Sequence, residues 1–209
     1  SYESVYTEFD PAKAKALLDE MGLKMNSDGK RILTDGRTLQ IALDVVTTMP
    51  GWVDSAEIIA SNLKAVGIDT EVKSETMELF RQRTQSASHD IALWPGDGGL
   101  ECLLDPRWYF PFSSESLNAP LYGQWFQSGG TRGEKPPPEI KELMDTYDEI
   151  LRSISPERQQ ELFAKIIAAN EKNLWVIGLV QDPPDYYVVS KKMFNLPQKD
   201  LQSWIYPNP

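Results

Sequence analysis

The chain has 209 residues, 41% apolar and 25% charged, and carries a net charge of −10. An acidic chain repels phosphate backbones, and no basic patch is interleaved with aromatics, which argues against a nucleic-acid partner. No apolar run reaches the roughly 20 residues a bilayer-spanning helix needs. The single cysteine, Cys102, leaves no internal disulfide and little to say about redox compartment.

The opening stretch, SYESVYTEFDPAKA, has neither a basic n-region nor an apolar h-region. A mature exported piece and a cytosolic protein both look like this. Asp10 and Pro11 then read as N-cap and first helical residue. Ala14, Leu17, Leu18 and Met21 make one apolar stripe, and Gly22 stops the helix. Turn signals at NSDG and DG bracket Arg31, Ile32 and Leu33, which predicts a short hairpin arm. Asn26 and Asp28 lack the later ligands and the closing glutamate of a calcium loop.

Residues 38–46 alternate. Leu39, Ile41, Leu43 and Val45 face one way, Gln40 and Asp44 the other, and this predicts a strand. The period then turns helical, with Ala56, Ile59, Ala60 and Leu63 inward and Gly67 as the stop. Ile68, Thr70 and Val72 predict a second strand. Strand, helix and strand with short joints make a right-handed βαβ unit with parallel strands. A shorter helix over 77–87 turns Met77, Phe80 and Thr84 inward. Arg81 and Arg83 fall on or near its outer face, as solvated charge or, for Arg83, as a candidate ligand contact. Residues 90–94 are short and uniformly apolar, which predicts a buried central strand.

Ligands of open α/β sheets collect beyond the carboxyl ends of strands. Here that end is WPGDGG, with Trp94 and Asp97 at the rim and Gly98 and Gly99 free to bring backbone close to a ligand. Residues 101–133 show no clear period but are rich in aromatics, among them Trp108 and Trp125. A long aromatic loop is either functional or packed as a flap. SGGTRG has glycines but not the lysine–hydroxyl pair of a phosphate loop. Beyond it, Ile140, Leu143, Met144, Tyr147, Leu151 and Ile154 predict one helix, and Leu162, Phe163, Ile166 and Ile167 a second, opened by Ser155 and Pro156. Residues 174–180 predict a buried apolar strand and residues 186–190 another. The tail from Asn195 reads as extended and irregular. One domain accounts for the whole chain.

Catalytic signals are thin. His89 is the only histidine, no G-x-S-x-G elbow exists, and no metal-ligand spacing is present. The remaining enzymatic option is a carboxylate pair for glycoside hydrolysis drawn from Asp97, Glu101 and Asp105.

YTEFDPAKAKALLDEMGL, the glycine-turned hairpin and TLQIALDVV together resemble the second, C-terminal lobe of family 5 extracellular solute-binding proteins. AEIIASNLKAVGIDTEVKSETMELFRQRTQSASHDIALW, PPPEIKELMDTYDEIL, SPERQQELFAKIIAANEKN and LWVIGLV follow in the family's order. The D-P-x-K-A-x-x-L-L-x-x-x-G and L-K-x-x-G-I-x-x-E-V blocks are the most specific. The resemblance implies an α/β fold, a mixed sheet flanked by helices, of the type II periplasmic-binding kind. It implies non-catalytic capture of an oligosaccharide or oligopeptide for an ABC importer, without cofactor or metal, in the periplasm or outside the cell. In a Gram-positive organism the protein would be a surface lipoprotein. Implied partners are a membrane permease and an N-terminal lobe not contained in these residues, so that this lobe alone binds weakly or not at all. Trp94 and Asp97 fall where peptide binders of the family place a tryptophan and an amine-pairing aspartate, while Gly98 and Gly99 replace the usual tyrosine-x-aspartate. The tryptophan-rich loops followed by GGTRGEKPPPEIKEL look more like the oligosaccharide-binding branch, with Trp108 and Trp125 as ring faces for sugars.

Overall fold

The computed structural model describes residues 7–49, 51–96, 102–180, 186 and 188–195. Helix α1 (Pro11–Glu20) begins as its sequence dictates, with the Asp10 carboxylate accepting the Lys13 N–H at 2.8 Å. None of its residues is buried, and Leu17 and Met21 are exposed. The helix is fastened through its polar end instead. Arg31, fully buried, donates from Nε to the Val66 carbonyl at 3.1 Å and from Nη1 to the Leu23 carbonyl at 2.7 Å. It also donates to the Lys15 carbonyl and pairs with Asp19. Gly67 is needed here: its φ is 95°, and a Cβ would sit 3.0 Å from Arg31 Cγ. The expected hairpin arm is present as the antiparallel bridges Met25↔Arg31 and Ile32↔Thr38, and Asn26 Oδ1 closes its turn by accepting the Asp28 and Lys30 N–H groups.

Strand β1 (Gln40–Val46), helix α2 (Trp52–Ala65) and strand β2 (Asp69–Glu75) form the βαβ unit, the strands parallel in the register Leu43↔Val72. Helix α3 (Met77–Gln85), N-capped by Thr76, leads to β3 (Ile91–Ala92), and the sheet order is β2-β1-β3 with all pairings parallel. The first crossover therefore runs from β1 to β2, and the second returns from β2 past β1 to β3 in the opposite sense. α2 packs with Leu43, Val45 and Ala56 on one face, and α3 lies on the other. Helices on both faces of a parallel sheet, with the antiparallel hairpin arm beside it, give the α/β class and helix-flanked sheet expected from the sequence.

Two strand expectations change. The residues after Asp90 form a two-residue strand at the edge of the described sheet, with Ile91 38% exposed. The central strand is β1, whose residues 43–46 are buried whatever their parity because both faces are covered. Residues 174–180 are not a buried strand: Leu174, at φ 51°, caps the preceding helix, and Ile177, Leu179 and Val180 are exposed. Tyr186 and Val188–Ser190 are likewise exposed and carry no strand. An apolar run becomes a strand only against a partner edge, and these residues pair with none among those described. Residues 196–209 lie outside the described chain.

The second half is helical. The stretch read as aperiodic contains a 3-10 turn (Pro106–Trp108) and α4 (Pro120–Gln127). α5 (Pro138–Arg152) and α6 (Pro156–Asn173) form an antiparallel pair, joined by a turn whose carbonyls at Ile150 and Ser153 accept from Gln159 Nε2. Ile140, Leu143, Met144, Tyr147 and Ile150 meet Leu162, Phe163 and Ile166 around Phe110. The stripe ends at Ile150. Leu151 points outward, and Ile154 lies beyond the helix end and is wholly exposed. Gly123 in α4 allows the close approach of the preceding loop, for a Cβ there would stand 2.2 Å from the Ser113 carbonyl oxygen. His89 Nε2 and the Leu117 carbonyl, 2.8 Å apart, and the bond from Gln124 Nε2 to the Gln85 carbonyl, 2.7 Å, tie this half to the sheet.

Phe110→Ala is expected to cost about 3–5 kcal/mol by urea unfolding, because it opens a cavity at the centre of the aromatic core. Ile154→Ala, on the same apolar pattern in sequence, is expected to stay within about 0.5 kcal/mol.

Candidate functional site at the carboxyl edge of the sheet

Each parallel strand is followed by one aromatic residue. Trp52 opens α2 after β1, Phe80 lies in the first turns of α3 after β2, and Trp94 follows β3. The three rings converge. Phe80 and Trp94 stack with centroids 5.2 Å apart and planes 20° apart, and Trp52 meets Trp94 edge-on at 5.7 Å and 78°. Phe80 is buried, while Trp52 and Trp94 are half-buried and keep ring surface open. Offset and edge contacts of this kind hold an aromatic face rigid without consuming all of it. Trp94 is therefore brought to the edge at which open α/β sheets bind ligands. Asp97, Gly98, Gly99 and Glu101 lie outside the described residues.

Beside this cluster sits a buried charge network. Asp44, on the α3 face of β1 and fully buried, accepts from Arg83 Nε at 2.5 Å and from Nη2 at 3.4 Å. The same Nε lies 3.0 Å from Glu75 Oε1 at the end of β2. Arg83 is thus neither a solvated surface charge nor a free ligand contact: its guanidinium is committed to two carboxylates. Its hydrogen bond to Asp44, aided by both negative charges, holds it firmly protonated. Burial, followed by the charge of Asp44, pushes the Glu75 carboxyl up, with Arg83 opposing. The alternation puts Asp44 on the face opposite Leu43 and Val45. Parity assigned the face correctly, but α3 covers it.

Trp108 and Trp125 stand in the other half. Trp125 packs against the α5–α6 core and against Gly130, whose added Cβ would meet the indole at 3.4 Å. The Trp108 carbonyl accepts from Asn170 Nδ2 at 3.2 Å, and Arg107 lies 5.9 Å above its ring. Neither is gathered with Trp94 and Arg83. Phe110, Phe112, Phe126 and Tyr147 form a network of ring contacts, so most of the aromatic richness of residues 101–133 serves packing. Asp105, one of the three candidate carboxylates, is paired with Arg107 at 2.5 Å. Sequence reasoning missed Trp52 and Phe80 as members of the cluster. The signal was their shared position just after a strand end.

A family model described as bacterial extracellular solute-binding proteins, family 5 middle, matches residues 1–116. The nickel-binding periplasmic protein of Escherichia coli K12 is 28% identical over 155 residues, 70% of this chain and 27% of that protein. Among solved structures, the oligopeptide-binding protein OppA is 28% identical with a TM-score of 0.73, over 83% of this chain and 30% of the other. The periplasmic binding protein MelB from Agrobacterium fabrum C58, in complex with stachyose, is 17% identical with a TM-score of 0.67, over 81% and 25%, and shares the fold. The chain spans less than a third of the length of these relatives.

Arg83→Leu should destabilise the chain by about 3–5 kcal/mol, since it strands Asp44 as an unpaired buried charge. The measurement is chemical unfolding at neutral pH, and the double variant Arg83→Leu/Asp44→Leu should recover much of the loss.

Proposed function

The chain belongs to the family 5 bacterial extracellular solute-binding proteins, and from that premise we propose that it is the C-terminal lobe of a two-lobe receptor that captures a solute for an ABC importer. The observation that carries this is the convergence of Trp52, Phe80 and Trp94 on the carboxyl edge of the sheet. In this reading the open face of Trp94 forms one wall of the ligand cleft. Asp97, Gly98 and Gly99, next in the chain, extend that wall with a carboxylate and accessible backbone. The facing wall belongs to an N-terminal lobe, and the ligand is enclosed when the lobes close. Trp108 and Trp125 enter as supports of the lobe, and Arg83 as the brace beneath the aromatic cluster.

The solute is an oligosaccharide or an oligopeptide. A held indole face suits the apolar face of a sugar ring or a peptide side chain equally. The work done is binding, in the periplasm or at the cell surface, with a membrane permease as the next partner. The alternative is glycoside hydrolysis by Asp97 and Glu101; Asp105, the third candidate carboxylate, is paired with Arg107. The exposed apolar side chains of Ile177, Val180, Tyr186, Val188 and Phe194 fit the same picture as surface for the other lobe to cover.

The test is calorimetric titration of the full-length protein with cello- and manno-oligosaccharides and with short peptides, followed by recovery of the ligand. One class should bind and return intact. Trp94→Ala should weaken that binding by about 1–3 kcal/mol in a protein that still unfolds cooperatively. Undiminished affinity in a folded Trp94→Ala protein would remove the cleft from this edge, and cleaved ligand would make the protein an enzyme.

A further inference from the structure

We propose that Glu75 holds its proton above the ordinary glutamate range and shares it with Asp44, so that there Arg83 balances one negative charge rather than two. The cluster is unequal as built. Asp44 comes from β1, Glu75 from β2 and Arg83 from α3, and one guanidinium contacts both carboxylates, at 2.5 Å and 3.0 Å. The other charged groups acting on the cluster are Lys73 on β2 and Asp90 before β3, one of each sign. They leave the imbalance in place. Glu75 Oε2 is buried and has no hydrogen-bond partner among the described residues. A full charge on Glu75 would be met at Oε1 only by the guanidinium that already serves Asp44, and at Oε2 by no donor among the described residues. A proton on Glu75 removes that charge and supplies a donor to the Asp44 carboxylate, the arrangement two crowded carboxyls adopt when only one can ionise.

The position makes this a pH-sensitive joint. Glu75 is the last residue of β2, and its carbonyl accepts the Thr47 N–H at 3.0 Å and the Thr47 hydroxyl at 3.3 Å. Thr47 begins the turn that carries Trp52 into the aromatic cluster. Losing the Glu75 proton places repulsion between the carboxyl ends of β1 and β2, directly below that turn. The direction follows from linkage. Glu75 holds its proton more tightly folded than unfolded, so its contribution is complete below the ordinary glutamate value of 4.5 and is lost as pH rises through the higher folded value. This inference is independent of which solute binds.

Two measurements on the full chain test it. Glu75→Gln keeps a donor toward Asp44 without a titrating group. Between about pH 4.5 and about pH 8 the wild-type melting temperature should fall by at least ~2 °C relative to that of the variant. Above pH 4.5 the infrared spectrum of the wild type should contain a protonated-carboxyl C=O band that Glu75→Gln lacks and that titrates away as the pH rises further. Parallel melting profiles together with no such band overturn the proposal. Should Glu75→Gln fail to fold, the wild-type band decides alone: it supports the shared proton if it titrates away well above pH 4.5, and it overturns it if it is already absent there.

Discussion

A carboxylate on the central strand of a sheet covered on both faces has no water to solvate it, and the placement of α3 follows from that. Asp44 can be buried only because α3 delivers a guanidinium to it. The bond fixes the helix in rotation and in height. Phe80 lies one turn before Arg83 on the same face, so the ion pair that settles α3 also settles where the Phe80 ring stands. Trp94 stacks on that ring, and Trp52 closes the group from the α2 side. One buried charge pair thus registers three aromatic side chains from three different connections.

The second half of the chain answers a different demand. α5 and α6 bury an apolar seam that needs a lid, and the Phe110, Phe112 and Phe126 rings supply it together with α4. Gly123 permits the lid to lie close. The joints to the sheet, at His89 with Leu117 and Gln124 with Gln85, sit at the end of α3 and ahead of β3, the edge away from Trp94. The aromatic edge is left free of this packing.

Much of the fold was legible in the sequence where local chemistry decides it. Asp10–Pro11 and Ser155–Pro156 cap helices as their residue types require, and the alternation around Leu43 and Val45 gave the strand. What was not legible depends on partners distant in sequence. Residues 174–180 have a strand's composition but no neighbour to pair with among the described residues. Asp44 has a surface residue's identity but a helix above it. At the site, the place of Trp94 after a strand could be read from the sequence, whereas the ion pairs of Arg83 could not, because its two carboxylate partners lie on other elements. Trp108 and Trp125 were singled out for residue type, which does not separate a ring offered to a ligand from a ring that seals a core.

The Arg31 clamp has a mechanical corollary. A helix moored by its apolar side must give up that side to the body that holds it. α1 is moored by carbonyl oxygens gathered on one guanidinium, so its Leu17 and Met21 flank stays available. A neighbouring segment could press against that flank without any change in how the helix is tethered. A lysine could not replace the arginine, because a single ammonium cannot span carbonyls from the helix, from the turn after it and from the α2–β2 joint at once.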